Sequence, residues 1–247
     1  VQLWDRNRDD IAEQAAAPAA HIAVEPAPAG ADADAAPVTR DLLAKVVDGA
    51  ARRFDAEHGG FEASMKFPVP VRWTFLLHWY RKTGDPTARH MITTTLEAMA
   101  RGGLYDHVGG GFHRYTVDPH WTVPHFEKML YDNAQLATLY LEAGAALERP
   151  DFTAVGVDVL EFLDRDMCGE EGAVYASLDA DSDGEEGSYY VWTPAQIADV
   201  VGPDDGPALA GLLGVTEAGN FERGTSVATR RADPAAVAAV HDRERAD

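Results

Sequence analysis

The sequence predicts a mainly α-helical fold, an incomplete α/α toroid of helical hairpins with short β-hairpins in its rim loops. Two observations carry this expectation. Helical patterns bounded by capping signals dominate the chain after residue 39, and a glycine-aromatic turn recurs between them at spacings of roughly 50 to 60 residues: Gly59-Gly60-Phe61, Gly110-Gly111-Phe112, then Gly172-Ala173-Val174-Tyr175. That period suits one hairpin with its loops. Stacked hairpins bury inner helices against outer ones, and the loops at one rim form a cavity. A non-repeating helical domain with ordinary glycine C-caps is the alternative.

Helices are expected over Arg40–Phe54, Val71–Thr83, Pro86–Ala100, Pro124–Leu147 and Phe152–Met167, with shorter ones near Pro194–Val201 and Pro207–Leu213. Asp85-Pro86 and Thr193-Pro194 each place an N-cap before a first-turn proline, and Gly102 and Gly169 follow patterns that have run out. Trp73, Phe75, Leu76, Leu77, Trp79 and Tyr80 share one helix and read as core. Before these helices, Ala15–Pro37 is rich in Ala, Pro, Gly and Asp without apolar period, which reads as a linker spanning 16–39. Residues 1–15 then read as the last helix of a preceding domain, and 40–247 as the partial toroid.

Composition narrows the function classes. At 247 residues, 46% hydrophobic and 25% charged, the chain is that of a globular protein able to bury a sizeable core. No signal-peptide layout or bilayer-length apolar run is seen, so a cytoplasmic location is expected. A net charge of -20 argues against nucleic acid or anionic membrane as partner. The single cysteine, Cys168, excludes an internal disulfide framework. Lysine occurs only at positions 45, 66, 82 and 128, and with the acidity this reads as adaptation to high salt, a GC-biased genome being the plainer reading.

The densest chemistry lies in Gly102–Gln135. Asp106, His107, His113, Arg114, Tyr115, Asp118, Trp121, His125, Glu127, Lys128 and Asp132 form a mixture suited to a hydroxyl-rich ligand and to acid-base work. If a helix starts at Pro124, then His125, Lys128, Asp132 and Gln135 form one polar stripe, either at a cavity mouth or on a solvated face. The histidines lack HxxxH or HExxH spacing, so no metal site is expected. Asp179-Ala180-Asp181-Ser182-Asp183-Gly184-Glu185 opens like a calcium loop, but its twelfth position is Tyr190. An acidic turn between strands near Ala173–Ser177 and Ser188–Trp192, or carboxylates Asp179 and Asp181 lining a polyol pocket, are the other readings. No cofactor is expected, because the one glycine cluster lacks a GxxxxGK[ST] pattern.

Taken together, Gly59-Gly60-Phe61 with MKFP at 65–68, GGLYDHVGGGFHRYTVD at 102–118, WTVPHFEKMLYDNAQL at 121–136, DADSDGEEGSYYVWT at 179–193 and GNFERG at 219–224 strongly resemble the spermatogenesis-associated protein 20-like, thioredoxin-domain-containing family. The resemblance covers nearly everything after the linker. It implies a thioredoxin-like domain followed by a toroid similar to six-hairpin glycosidases and N-acylglucosamine 2-epimerase. This chain has no CxxC motif, so only the final helix of the thioredoxin-like domain is expected in it, and the remaining hairpins are missing parts of the same polypeptide. The implied activity is unassigned. The leading expectation is a sugar- or polyol-binding toroid of hydrolase or epimerase type. His113, His125 and Glu127 are its candidate catalytic groups, and Asp106, His107, Arg114, Tyr115, Asp118, Trp121, Lys128, Asp132, Asp179 and Asp181 its candidate ligand-binding groups. The rival is a noncatalytic binding or redox-partner module that presents a surface to a client protein, with any redox chemistry supplied by the thioredoxin-like domain.

Overall fold

A computed structural model describes residues 6–22 and 38–240. The chain divides into two units, residues 1–43 and 44–247. In the first, helix α1 (Arg8–Ile22) opens with Asp9 and Asp10, whose charge favours a helix N-terminus, and it continues into the stretch read as linker. Most of that stretch, 23–37, lies outside the described residues, as do residues 1–5 of the expected remnant helix.

Helix α2 (Arg40–Ala51) leads into the second unit, which holds α3 (Pro70–Thr83), α4 (Pro86–Arg101), α5 (Leu130–Leu147) and α6 (Pro150–Phe162), the last extended by a π-helical turn over Leu163–Met167. The cap signals act as the sequence implied. Asp85 accepts the Thr87 N–H at 2.8 Å to start α4, and Gly102 returns its N–H to Ala98 to end it. Helix α3 packs on α4 and α5, and α6 packs on α5, so α3 and α5 touch while α4 and α6 back them. Between them lies the core of Trp73, Leu77, Met91, Ile92, Leu96, Leu136, Tyr140 and Phe152, all at most 2% exposed. Such side chains contribute about 1.5–3 kcal/mol each on burial. A smaller core, Ile197, Ala210, Leu213, Val215 and Ala228, joins α7 (Pro194–Val201), started by a Thr193–Gln196 capping box, to α8 (Gly206–Leu212). The final described helix is α9 (Pro234–Val240).

The glycine turns are a structural repeat. In the first, Asp55 N–H bonds Gly60 O and Gly59 N–H bonds Asp55 O; in the second, Asp106 N–H bonds Gly111 O and Gly110 N–H bonds Asp106 O. All four turn glycines, 59, 60, 110 and 111, have φ between 72° and 79°, a region costly for any residue with a Cβ. Each aspartate caps its own turn through Oδ1 and uses Oδ2 to hold a buried lysine from the next segment: Lys66 on Asp55 at 2.6 Å, Lys128 on Asp106 at 2.7 Å. Each lysine also donates to a turn carbonyl, Gly59 O or Gly110 O. The third turn keeps the backbone pattern, with a Cys168–Val174 bridge matching Tyr105–Phe112, but Gly169 stands where the aspartate would be.

Short strands link the repeats. Lys66 pairs with Thr116, β3 (Lys128–Met129) with β4 (Ser177–Leu178), and β7 (Val191–Trp192) with β8 (Ser226–Val227), so each segment leading into a forward helix is completed by the loop of the following repeat. Two more pairs, β1 (Tyr115–Thr116) with β2 (Pro124–His125) and β5 (Asp181–Ser182) with β6 (Glu185–Glu186), are local hairpins.

Two expectations are corrected. The helix expected from Pro124 begins at Leu130, because 124–125 and 128–129 spend their backbone groups on strand pairing, and the Arg114 N–H bonds Glu127 O at 2.9 Å. The polar stripe of His125, Lys128, Asp132 and Gln135 therefore does not exist. The segments flanking the acidic turn pair with β3 and β8, not with each other; the hairpin between them closes on Asp183-Gly184, both at positive φ as a type I′ turn requires. Among the described residues, no helix is long and apolar enough to cross a membrane.

Candidate functional site at the loop rim

Pairing of β1 with β2 sets Tyr115 opposite His125 and stacks their rings at 5.1 Å; Phe67, from the first repeat, stacks on the other side of Tyr115 at 4.5 Å. The result is a three-ring ladder whose outer ring, Phe67, is exposed. His125 stands between two carboxylates, with Nδ1 at 2.6 Å from Glu186 Oε1 and Nε2 at 3.7 Å from Glu127 Oε2. An imidazole with a carboxylate at each nitrogen can accept a proton at one and pass one from the other. Arg114 holds Glu127 at 3.0 Å, and that bond, reinforced by Tyr131, raises the guanidinium pKa. Pro124 and Glu186 line an open cavity of about 470 Å³, together with Val117, Phe221 and the Glu185–Arg223 ion pair. That volume falls in the range of small-molecule sites.

Asp132, in the first turn of α5, is only 9% exposed, and its carboxylate has no hydrogen-bond partner among the described residues. Burial pushes its pKa up to about 6 against the pull of Arg114. A carboxyl protonated more readily when folded than when unfolded costs stability as pH rises, here from about 4 to 6. Asp132→Asn is therefore expected to stabilise the protein by about 2 kcal/mol at pH 8 and to flatten that decline. Urea midpoints between pH 4 and 8 measure this, and identical slopes for variant and wild type would refute it.

The other predicted residues do not join the ladder. His113 is buried with Nδ1 at 2.9 Å from Phe126 O, between the edges of Phe126 and Tyr190, and desolvation followed by the Lys128 charge drives its pKa down to about 3. It stays neutral. Asp106 and Lys128 form the second turn clamp: burial would raise the Asp106 pKa, yet the Lys128 charge keeps it below the usual 3.8. His107 bonds Gly102 O through Nε2, its Nδ1 is buried without a partner, and burial lowers its pKa to about 4. Trp121 is fully buried and donates to His58 O, which leaves no face for a sugar ring. Asp118 caps its loop through the N–H groups of His120, Thr122 and Val123. Asp179 caps Asp181 N–H, and neither residue lines the cavity. Among the described residues, no three His, Cys, Asp or Glu side chains are placed to hold a metal ion.

Two members of the site were not singled out from sequence. Glu186 was hidden in a run of acidic residues, and its pairing with His125 spans 61 positions. Phe67 carried one usable signal, an aromatic directly before Pro68 at a helix start.

No family profile matches the chain. It is 38% identical over 188 residues to spermatogenesis-associated protein 20 of Homo sapiens and 36% identical over 187 residues to that of Rattus norvegicus, each comparison covering 68% of this chain and 24% of the relative. The chain thus spans about a quarter of the length of these relatives. Among solved structures it is similar to a sugar epimerase from a ruminal bacterium, with a TM-score of 0.50 at 14% identity, over 68% of this chain and 50% of that one. At that identity the likeness shows the fold, an α/α toroid.

Proposed function

This chain belongs to the spermatogenesis-associated protein 20-like family, and on that premise we propose that its loop rim binds a sugar or polyol and carries out acid-base chemistry on it, of the hydrolase or epimerase type. The observation that carries this reading is the ladder Phe67–Tyr115–His125 ending on an imidazole held between Glu186 and Glu127. The exposed outer ring of the ladder, Phe67, suits the apolar face of a sugar ring, and the carboxylates and Arg114 suit its hydroxyl groups.

His125 is the proton carrier. Glu186 holds its Nδ1, and Arg114 fixes Glu127 so that the imidazole keeps one orientation. A two-histidine mechanism with His113 is not favoured, because His113 is wrapped in aromatic side chains and spends Nδ1 on a backbone carbonyl. Glu127 and Glu186 are the carboxylate pair that a hydrolytic route would draw on.

Thermal unfolding of the protein with a panel of mono- and disaccharides tests the reading. A ligand at about 100 times its Kd is expected to raise Tm by roughly 5 °C or more. Phe67→Ala should weaken binding about tenfold, and His125→Ala should abolish turnover of whichever sugar binds. No shift with any sugar overturns the reading. A shift without turnover in the wild type favours the noncatalytic module.

A further inference from the structure

We propose that a second rim cavity, walled by Arg101, Arg231, His58 and His120, binds the oxyanion group of a small molecule, a phosphate or carboxylate on a sugar-sized body. The cavity has a volume of about 410 Å³ and shares no lining residue with the one beside His125. In a chain of net charge -20, its wall sets two guanidinium groups and two imidazoles beside the carboxylates of Glu57 and Glu97.

The cations are placed for a ligand. Arg231 is braced by bonds from Nη1 to Thr122 Oγ1 at 3.0 Å and from Nη2 to His120 O, which fix the plane of its fork and leave its other N–H groups uncommitted. Arg101, in the last turn of α4, makes no side-chain hydrogen bond or ion pair among the described residues. His58 and His120 meet edge to face at the wall, with ring centroids 4.4 Å apart.

Nearby negative charge is occupied or outside. Glu97 is bonded to Arg149 at 2.6 Å. Glu57 is 84% exposed and reaches His58 only at 3.6 Å. Asp118, which supports the charge on Arg231, accepts three backbone N–H groups. Two carbonyls at the C-terminus of α4 are also partnered, Ala98 O by Gly102 N–H and Arg101 O by Arg230 N–H. Paired imidazoles near a glutamate invite a metal cation in other settings. Here two guanidinium groups in the same cavity repel one.

Calorimetric titration at low salt with inorganic phosphate and with glucose 6-phosphate tests the site. Both are expected to bind saturably, glucose 6-phosphate more tightly, and Arg101→Gln and Arg231→Gln should each weaken binding about tenfold or more. Arg231 also braces a loop, so Arg101→Gln, which removes no internal bond, is the decisive variant. Binding should persist in His125→Ala, which separates this result from the fate of the sugar reading at the other cavity. No saturable phosphate binding by about 10 mM, or equal affinity in Arg101→Gln and wild type, overturns the proposal; equal affinity for the two probes overturns the sugar-sized body.

Discussion

Lys128→Met is expected to destabilise the protein by about 3–5 kcal/mol, read as a drop in the urea midpoint. The Lys128 ammonium is 2% exposed, bonds Asp106 Oδ2 and Gly110 O at 2.7 Å each, and lies 4.4 Å from the centre of the Phe162 ring. Methionine fills much of the same volume. It leaves Asp106 as a buried carboxylate without its bonded counter-charge, Arg165 acting on it only from a distance, and that is the larger cost. Adding Asp106→Asn should recover part of the loss, since asparagine can still accept the Val108 and Gly109 N–H groups without burying a charge. The wild-type pH profile carries the same signature. Asp106 is held below its usual 3.8, so its contribution is present above about pH 4 and is lost as pH falls through the lower folded value. A Lys128→Met midpoint within about 1 kcal/mol of wild type, or a double variant no better than the single, would remove the clamp from the account.

Gly111→Ala is expected to cost about 3 kcal/mol or more. Two effects add at this position. Its φ of 76° carries a penalty of about 1–2 kcal/mol for a residue with a Cβ, and that Cβ would fall 2.4 Å from Phe162 Cδ1, where the buried ring has little room to move. Gly184→Ala separates the two, because Gly184 has φ 81° but nothing within 4 Å of the added carbon. Its loss should stay near the conformational penalty alone. Thermal midpoints of the two variants compare them directly, and equal losses would show that the ring contact contributes nothing.

The helices were legible where local chemistry fixes their limits. Asp85-Pro86 and Thr193-Pro194 act within one turn of chain, and the structure uses both as caps. The glycine-aromatic turns were legible as a repeat, because a positive φ demands glycine whatever surrounds it. The segment 124–129 was not: it runs unbroken from Pro124, a residue suited to a first helical turn, into the helical pattern of 130–147, and the partners that draw it into strands lie at 114–116 and 177–178. For the same reason Lys128 read as part of a helical polar stripe, at a cavity mouth or on a solvated face, although it is a buried cation in a turn clamp. At the rim, the stretch that supplies Arg114, Tyr115, His125 and Glu127 was recognisable by its density of ionisable and aromatic groups. Density could not separate those four from His113 and Trp121, whose burial is decided by Phe126, Tyr190 and the first glycine turn.

The strand pairs between repeats impose an order on how the chain can be made. Lys66 meets its partner Thr116, and Lys128 its partner Leu178, only after roughly fifty further residues have been synthesised. At about 5–20 residues per second, each finished turn waits several seconds on the ribosome with an unpaired strand edge. During that interval the buried lysine already has its aspartate, from the turn that precedes it, but not its strand partner. Of the two contacts that fix each lysine, the clamp is therefore the one built from chain already made, and the strand pair is the one its successor completes.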